Sequence, residues 1–231
     1  MGDHGHRDAM MESFKAARHG MSAFETWQMF TYLSAYDIAI ACGNDVSFME
    51  DTVSAMRSRD AGQVSELRAM FSEMVEEYES NMFQDLLGDV YMQLGIGNEA
   101  GGQFFTPYGI CQLMAKMDMG AKAVEEAIAD HGFVTINEPS CGAGANVVAA
   151  CERMHELGHN YQERMLAWCN DVSEMTALMC YVQLSLIGCP AVVTIGDTLS
   201  MGFRSPLRTP VLMVGGVWAA RRMGGCEWAM L

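Results

Sequence analysis

Between residues 24 and 94 of the chain apolar residues return every three or four positions. This spacing places them on one side of an α-helix and predicts a series of amphipathic helices. Phe24, Trp27, Phe30, Leu33 and Ile38 define one over 24–42, ended by Gly43-Asn44. A second is predicted over 47–59. A third, over 63–81, gathers Leu67, Met70, Met74 and Tyr78 on one face and leaves Glu73, Glu76, Glu77 and Glu79 as a solvated face. A fourth covers 83–94 and stops at Gly95. Residues 1–20 mix His, Asp, Arg and Met without a clear period and read as a fraying terminus. The stretch 1–95 is therefore expected to be a helical layer with no evident chemistry.

Beyond Gly95 the pattern changes. Helices predicted over 108–117 and 122–131 lead into a short β-rich run, Phe133-Val134-Thr135-Ile136. A polar, proline-marked corner follows, then the small-residue loop Ser140-Cys141-Gly142-Ala143-Gly144. The pattern continues as helix 145–157, strand 165–169, helix 173–186 and strand 191–195. Gly158 and Gly188 are the expected helix stops. Thr106-Pro107 reads as a helix start, with Thr capping free amides and Pro at the first helical position. Strands alternating with helices predict a parallel sheet covered on both faces. Such sheets bind ligands at the carboxyl ends of their strands. Glu138, Asp171 and Asp197 all fall at such ends. An acid after the second strand suits ribose hydroxyls, so Asp171 is a candidate for that role. The other reading open to it is to cap the next helix.

Composition narrows the class. Half of the 231 residues are hydrophobic and 19% are charged, which suits a globular chain with a sizeable core. No apolar run reaches the roughly 18–20 residues of a membrane span, and the first residues lack a signal-peptide core. Eight cysteines are scattered without a CxxC pair. Cys111, Cys151 and Cys180 lie in apolar runs, as expected for buried reduced thiols of a cytoplasmic protein. A net charge of −15 argues against a surface built only to grip DNA. Acids are nevertheless absent between Thr198 and Cys226, where Arg204, Arg208, Arg221 and Arg222 occur. That stretch reads either as a local phosphate-contacting face or as a tail with solvated arginines.

Two motifs carry a family resemblance. Glu138-Pro139-Ser140-Cys141-Gly142-Ala143-Gly144 resembles the cofactor loop of adenine-N6 DNA methyltransferases, (D/E)-P-x-C-G-x-G. Upstream, Gly102-Gln103-Phe104-Phe105-Thr106-Pro107 resembles the motif that precedes this loop in type I restriction modification subunits. Gly196-Asp197-Thr198-Leu199 is similar to a third family motif. The resemblance covers roughly 85–199 and is nearest to short methylases of phages and mobile elements. It implies an α/β fold: a partial Rossmann-like S-adenosylmethionine-dependent methyltransferase sheet over 96–200, preceded by the helical layer 1–95 and followed by a basic tail, 201–231, of undefined structure. It implies S-adenosylmethionine as cofactor, held by Phe105, Thr106, Pro107, Glu138, Pro139, Cys141, Gly142, Gly144, Asp171 and Asp197. It implies DNA as substrate, in restriction–modification or mobile-element biology, with a specificity or partner subunit as the further chain.

One departure and one rival stand beside this. The family's (N/D)-P-P-(Y/F) motif, which grips and stacks the flipped adenine, is missing after Leu199. Residues 200–210 read SMGFRSPLRTP, and too little chain remains for the rest of the sheet and a target-recognition domain. No catalytic residue is therefore assigned, and a catalytically degenerate cofactor- or DNA-binding relative is the alternative. Phe203 and Trp218 are the aromatic residues within reach. The rival is His155-Glu156-Leu157-Gly158-His159, an H-E-x-x-H match that would bind zinc on one helix face in a hydrolase. Gly158 is expected to end that helix and leave His159 outside it.

Overall fold

The computed structural model describes residues 5–99 and 104–223. In chain order it contains α1 (Gly5–Ala17), α2 (Ala23–Ala41), a 3-10 turn (Ser47–Met49), α3 (Glu50–Arg57), α4 (Ala61–Ser80), α5 (Leu86–Gln93) and α6 (Ile96–Glu99). Then come α7 (Tyr108–Asp118), α8 (Ala121–His131), β1 (Val134–Glu138), α9 (Ala145–Glu156), α10 (Tyr161–Arg164), β2 (Met165–Asp171) and α11 (Glu174–Leu186). Last are β3 (Ala191–Asp197), β4 (Gly202–Arg208), α12 (Pro210–Val214) and α13 (Gly216–Met223).

Residues 5–17 do not fray. Met10, Phe14 and Ala17 lie at helical spacing and are buried, and Phe14 meets Trp27 edge to face at 6.2 Å. Three inward positions among polar ones are too few to show a period in the sequence, yet they suffice once α4 and α2 provide a surface. His6 Nδ1 also pairs with Glu73 of α4 at 2.8 Å, and Glu77 is buried and accepts from Gln84 Nε2 at 3.2 Å, so these two carboxylates do not belong to the expected solvated face. Short polar side chains start several helices. Ser22 and Glu25 form a reciprocal capping box on α2. Asp60 accepts from Gly62 and Gln63 at the head of α4, which is why that helix begins before the expected 63.

The sheet order is β1-β2-β3-β4. The first three strands are parallel, with Val134 opposite Met165 and Ala167 opposite Ala191. The fourth, drawn from the stretch expected to be a tail, turns back antiparallel on β3 and places Asp197 opposite Gly202. Burial separates the strands. β2 and β3 are almost wholly inside, whereas β1 alternates between half-buried and exposed.

Helix α11 is the hub. Its residues from Met175 to Ser185 are all buried, as expected of a helix apolar on every side. The sheet lies against it through β2 and β3, and the helical layer lies against it through α2 and α5. Trp27 Nε1 reaches Met179 Sδ at 3.4 Å, and Tyr32 donates to Glu174 at 2.7 Å. One continuous core thus joins the helical layer to the strands. Among the described residues no helix is long and apolar enough to cross a membrane.

Candidate functional site

The parallel strands point their carboxyl ends at one rim, where the loops after β1, β2 and β3 meet. After Glu138 the chain must turn at once into α9. Gly142 and Gly144 make this possible at φ +53° and +102°, a region costly to residues with a Cβ. Space imposes the same choice. A Cβ on Gly142 would lie 3.1 Å from the Phe105 ring, and one on Gly144 would lie 3.0 Å from Cys180 Sγ. The two sequence motifs therefore touch, with Phe105 of the first lying over Gly142 of the second. Phe105 is in turn held by Tyr91, ring centres 5.1 Å apart.

Backbone and side-chain bonds lock the rim together. Cys141 N–H donates to the Asn170 carbonyl at 2.8 Å, and Gly142 N–H donates to Asp171 Oδ2 at 2.8 Å. The other Asp171 oxygen accepts from Ser173 N–H at 2.9 Å. Asn170 Nδ2 reaches Thr198 Oγ1 at 2.7 Å and the Gly196 carbonyl at 2.8 Å. Thr198 Oγ1 donates to the Pro139 carbonyl at 2.5 Å. Glu138 accepts from Asn146 Nδ2 at 2.9 Å. Asp197 is exposed and accepts from Leu199 N–H at 2.9 Å.

The expected residues thus divide by environment. Phe105, Glu138, Pro139, Cys141, Gly142, Gly144, Asp171 and Asp197 gather at this rim. Gly102 and Gln103 of the first motif lie outside the described residues. Thr106 does not cap α7. Pro107 itself occupies the cap position, with its carbonyl accepting from Ile110 N–H at 2.8 Å, and no side chain caps the helix. Helix α9 likewise has no side-chain cap. By contrast α2, α4, α5 and α11 are each capped, by Ser22, Asp60, Asp85 and Ser173. Helices α3 and α8 also lack one. The uncapped starts of α7 and α9 follow directly on the two motifs, and such starts favour a carboxylate or other anion.

Sequence reasoning missed Asn170 and Thr198 as the pins between loops. Their signal was present, since each adjoins a singled-out acid. Apolar residues also ring the site: Val172, Leu199 and Met201 are largely exposed, at 74%, 95% and 70%. Trp218 is not part of it. This side chain is buried, packs edge to face on Phe133 at 5.3 Å and donates to the Gln162 carbonyl, at the amino end of β1. Arg204 lies in an ion pair with Glu174 at 3.0 Å. The side chains of Arg221 and Arg222 lie outside the described set, so a basic face over 198–226 is described only in part.

Thiol and zinc chemistry find little support in the geometry. All seven cysteines among the described residues are free. Hydrogen bonds to Cys141 and Cys169, with full burial, push the Cys180 thiol well up. Burial pushes Cys111 up to about 11. Helix α9 ends at Glu156, Gly158 turns left-handed at φ +80°, and His159 follows beyond. His155 packs on Phe83, and Glu156 pairs with Lys116 at 3.0 Å and Arg153 at 3.1 Å. No group of three potential metal ligands occurs among the described residues.

A family match agrees with the motifs. The family model for N-6 DNA methylases matches residues 82–208, more than half of the chain. Among solved structures, the methyltransferase subunit of a type I restriction-modification system from Streptococcus thermophilus is similar, at 14% identity and a TM-score of 0.47. The match covers 89% of this chain and 61% of that one, so this chain spans about three fifths of that subunit. No curated protein matches. The match over 82–208 takes in every residue singled out at the rim, and the chain belongs to the N-6 DNA methylase family.

Proposed function

We propose that the rim holds S-adenosylmethionine and that the chain acts, in the cytoplasm, in methyl transfer to adenine N6 of DNA. The carrying observation is the packing of Phe105 on Gly142, beside helices whose first amides no side chain caps. The residues suit this cofactor. Its amino-acid end carries a carboxylate, for which uncapped helix amides are complementary. Its ribose suits acceptors at a strand end, and Asp171 keeps a second lone pair on each oxygen beyond its bonds to Gly142 and Ser173. Exposed Val172 and Leu199 offer apolar surface for the adenine. When bound, the cofactor supplies an electrophilic methyl group.

The chain's own part is to orient. The pins Asn170–Thr198 and Thr198–Pro139 hold three strand-end loops in one register. Residues 202–208 form β4 and do not read (N/D)-P-P-(Y/F). We therefore read the chain as the cofactor-binding part of the apparatus, with base and target recognition supplied by a further chain. Ile110, Leu113, Met114 and Met117 form an exposed apolar stripe on α7 beside the site, which supports a partner there. The test has two steps. Calorimetry with S-adenosylmethionine or its demethylated product should give binding at or below millimolar concentration. Tritiated methyl transfer to mixed-sequence DNA should be poor for the chain alone. Absence of binding by a folded sample sinks the reading, and multiple turnovers by the chain alone would show that acceptor groups are present in another form.

A further inference from the structure

We infer that Gln183 is a positioning residue that sets the glycine loop from beneath and ties its geometry to the N-terminal helices. This rests on reading the loop as the cofactor cradle. Gln183 lies in the middle of α11 and is fully buried. A buried amide is costly unless its polar atoms find partners, and here all of its bonding capacity is used. The side-chain oxygen accepts from the Tyr78 hydroxyl and from Leu87 N–H at 2.9 Å. The side-chain nitrogen donates to Asp85 Oδ1 at 3.0 Å and to the Ala143 carbonyl at 2.6 Å. Two hydrogens and two lone pairs are the whole inventory of the group. The orientation is also unique. Leu87 N–H can only donate and the Ala143 carbonyl can only accept, so a flipped amide would face like with like.

Ala143 stands between the two left-handed glycines and is itself buried. Three anchors therefore fix the loop. Asn170 takes the amide of Cys141, Asp171 takes that of Gly142, and Gln183 takes the carbonyl of Ala143. The first two belong to the end of β2. The third alone reaches the helical layer, through Tyr78 of α4 and through Asp85 and Leu87 at the head of α5. Shape does not explain the choice of residue. A leucine would fill similar volume but leave the Ala143 carbonyl and the Leu87 amide buried without partners. The helices before the methylase fold thus have a physical connection to the site, although their sequence shows no chemistry of its own.

The test compares the full-length chain with Gln183→Leu, Tyr78→Phe and the double variant. Two quantities are read at a temperature where circular dichroism shows each sample folded. One is hydrogen exchange of the 142–144 amides relative to those of β3, without ligand. The other is affinity for S-adenosylhomocysteine. The expected result is about tenfold faster loop exchange and about tenfold weaker binding in Gln183→Leu, given the size of a lost buried hydrogen bond. Tyr78→Phe should weaken binding about threefold, and that effect should vanish in the Gln183→Leu background. A lowered melting temperature with unchanged loop exchange and affinity overturns the inference. If Gln183→Leu does not fold, Tyr78→Phe decides alone, and unchanged loop exchange and affinity there also overturn it. A wild-type chain that binds no cofactor overturns the cofactor reading instead, while the exchange comparison still decides whether Gln183 sets the loop.

Discussion

The two ends of the sheet are built differently. At the amino ends of β1 and β3, Phe133, Val192, Leu212 and Trp218 close into a buried cluster. Polar groups there are internal as well: Thr209 is fully buried and bonds the carbonyl of Cys189 and the amide of Ala191. At the carboxyl ends the loops are tied by hydrogen bonds, yet Val172, Leu199 and Met201 face outward. One end is sealed by apolar packing, and the other is hydrogen-bonded but open. Apolar burial at the closed end stabilises the fold, whereas ligands of parallel sheets bind outside the carboxyl ends of the strands. Substitutions at the two ends should therefore separate stability from affinity.

The largest effect is expected at the sealed end. Trp218→Ala removes a buried ring and leaves the Gln162 carbonyl without its donor. It should lower stability by about 3–5 kcal/mol, as for aromatic truncations in cores. Chemical denaturation measures this, and cofactor affinity of the folded fraction should stay as in wild type. A large loss of affinity with intact stability would invert the roles of the two ends.

A second test lies in the network between the helical layer and the rim. Burial pushes the Asp85 carboxyl up to about 6, opposed by its bonds from Gln183 and Gly88. Asp89 raises it further and Arg7 lowers it. The folded value lies above the unfolded one, so the favourable contribution is present below about pH 4 and is lost as pH rises through about 6. The full span corresponds to on the order of 3 kcal/mol. Asp85→Asn should remove that part of the slope between pH 4 and 6 in denaturation curves. An unchanged slope would place the titration elsewhere.

Much of this was legible in the sequence, for identifiable reasons. The alternation of strands and helices over 133–195 shows because β2, β3 and α11 are apolar on all sides and end at Asn, Asp or Gly. The loop shows because a sharp turn between strand and helix needs Gly142 and Gly144. Helix α1 was hidden because only three of its residues face inward. Strand β4 was hidden because Pro206 and the scattered Gly202, Arg204, Ser205 and Arg208 look like a tail. Its pairing depends on β3, and Ser205 takes a positive φ of 52° that no local rule announces. At the site, acids and glycines stand out by residue type. Gln183 does not, because a glutamine in an apolar helix gains meaning only when Tyr78 and Asp85 arrive from the junction of α4 and α5 and Ala143 from the glycine loop.

At the open end, Asp171 should matter more than its neighbours. Asp171→Ala leaves the Gly142 and Ser173 amides without their acceptor and removes the proposed ribose ligand. A hydrogen bond to a charged group contributes about 1.5–3 kcal/mol, so affinity should fall roughly ten- to hundredfold. Some stability should be lost too, because Asp171 is buried and holds the loop. Asp171→Asn keeps one acceptor and should recover part of both. Calorimetry beside thermal melts separates the two losses. Unchanged affinity with lowered stability would assign Asp171 to the loop alone.

The smallest effect is expected at Asp197. Its side chain is exposed and one oxygen already accepts from Leu199 N–H. Asp197→Asn retains that acceptor, so the turn after β3 should survive and Thr198 should keep its bond to Pro139. What changes is a single solvated charge at the rim proposed to hold S-adenosylmethionine, whose sulfur is cationic. Exposed charge pairs are weak and screened by salt, so affinity for S-adenosylmethionine should fall by less than about fivefold. Raising ionic strength should shrink the difference, and S-adenosylhomocysteine, which lacks the sulfonium, should show less of it. A loss well beyond tenfold, equal for both ligands and insensitive to salt, would mean that Asp197 bonds the cofactor directly. The open end would then extend across β3 rather than centre on the loop after β1.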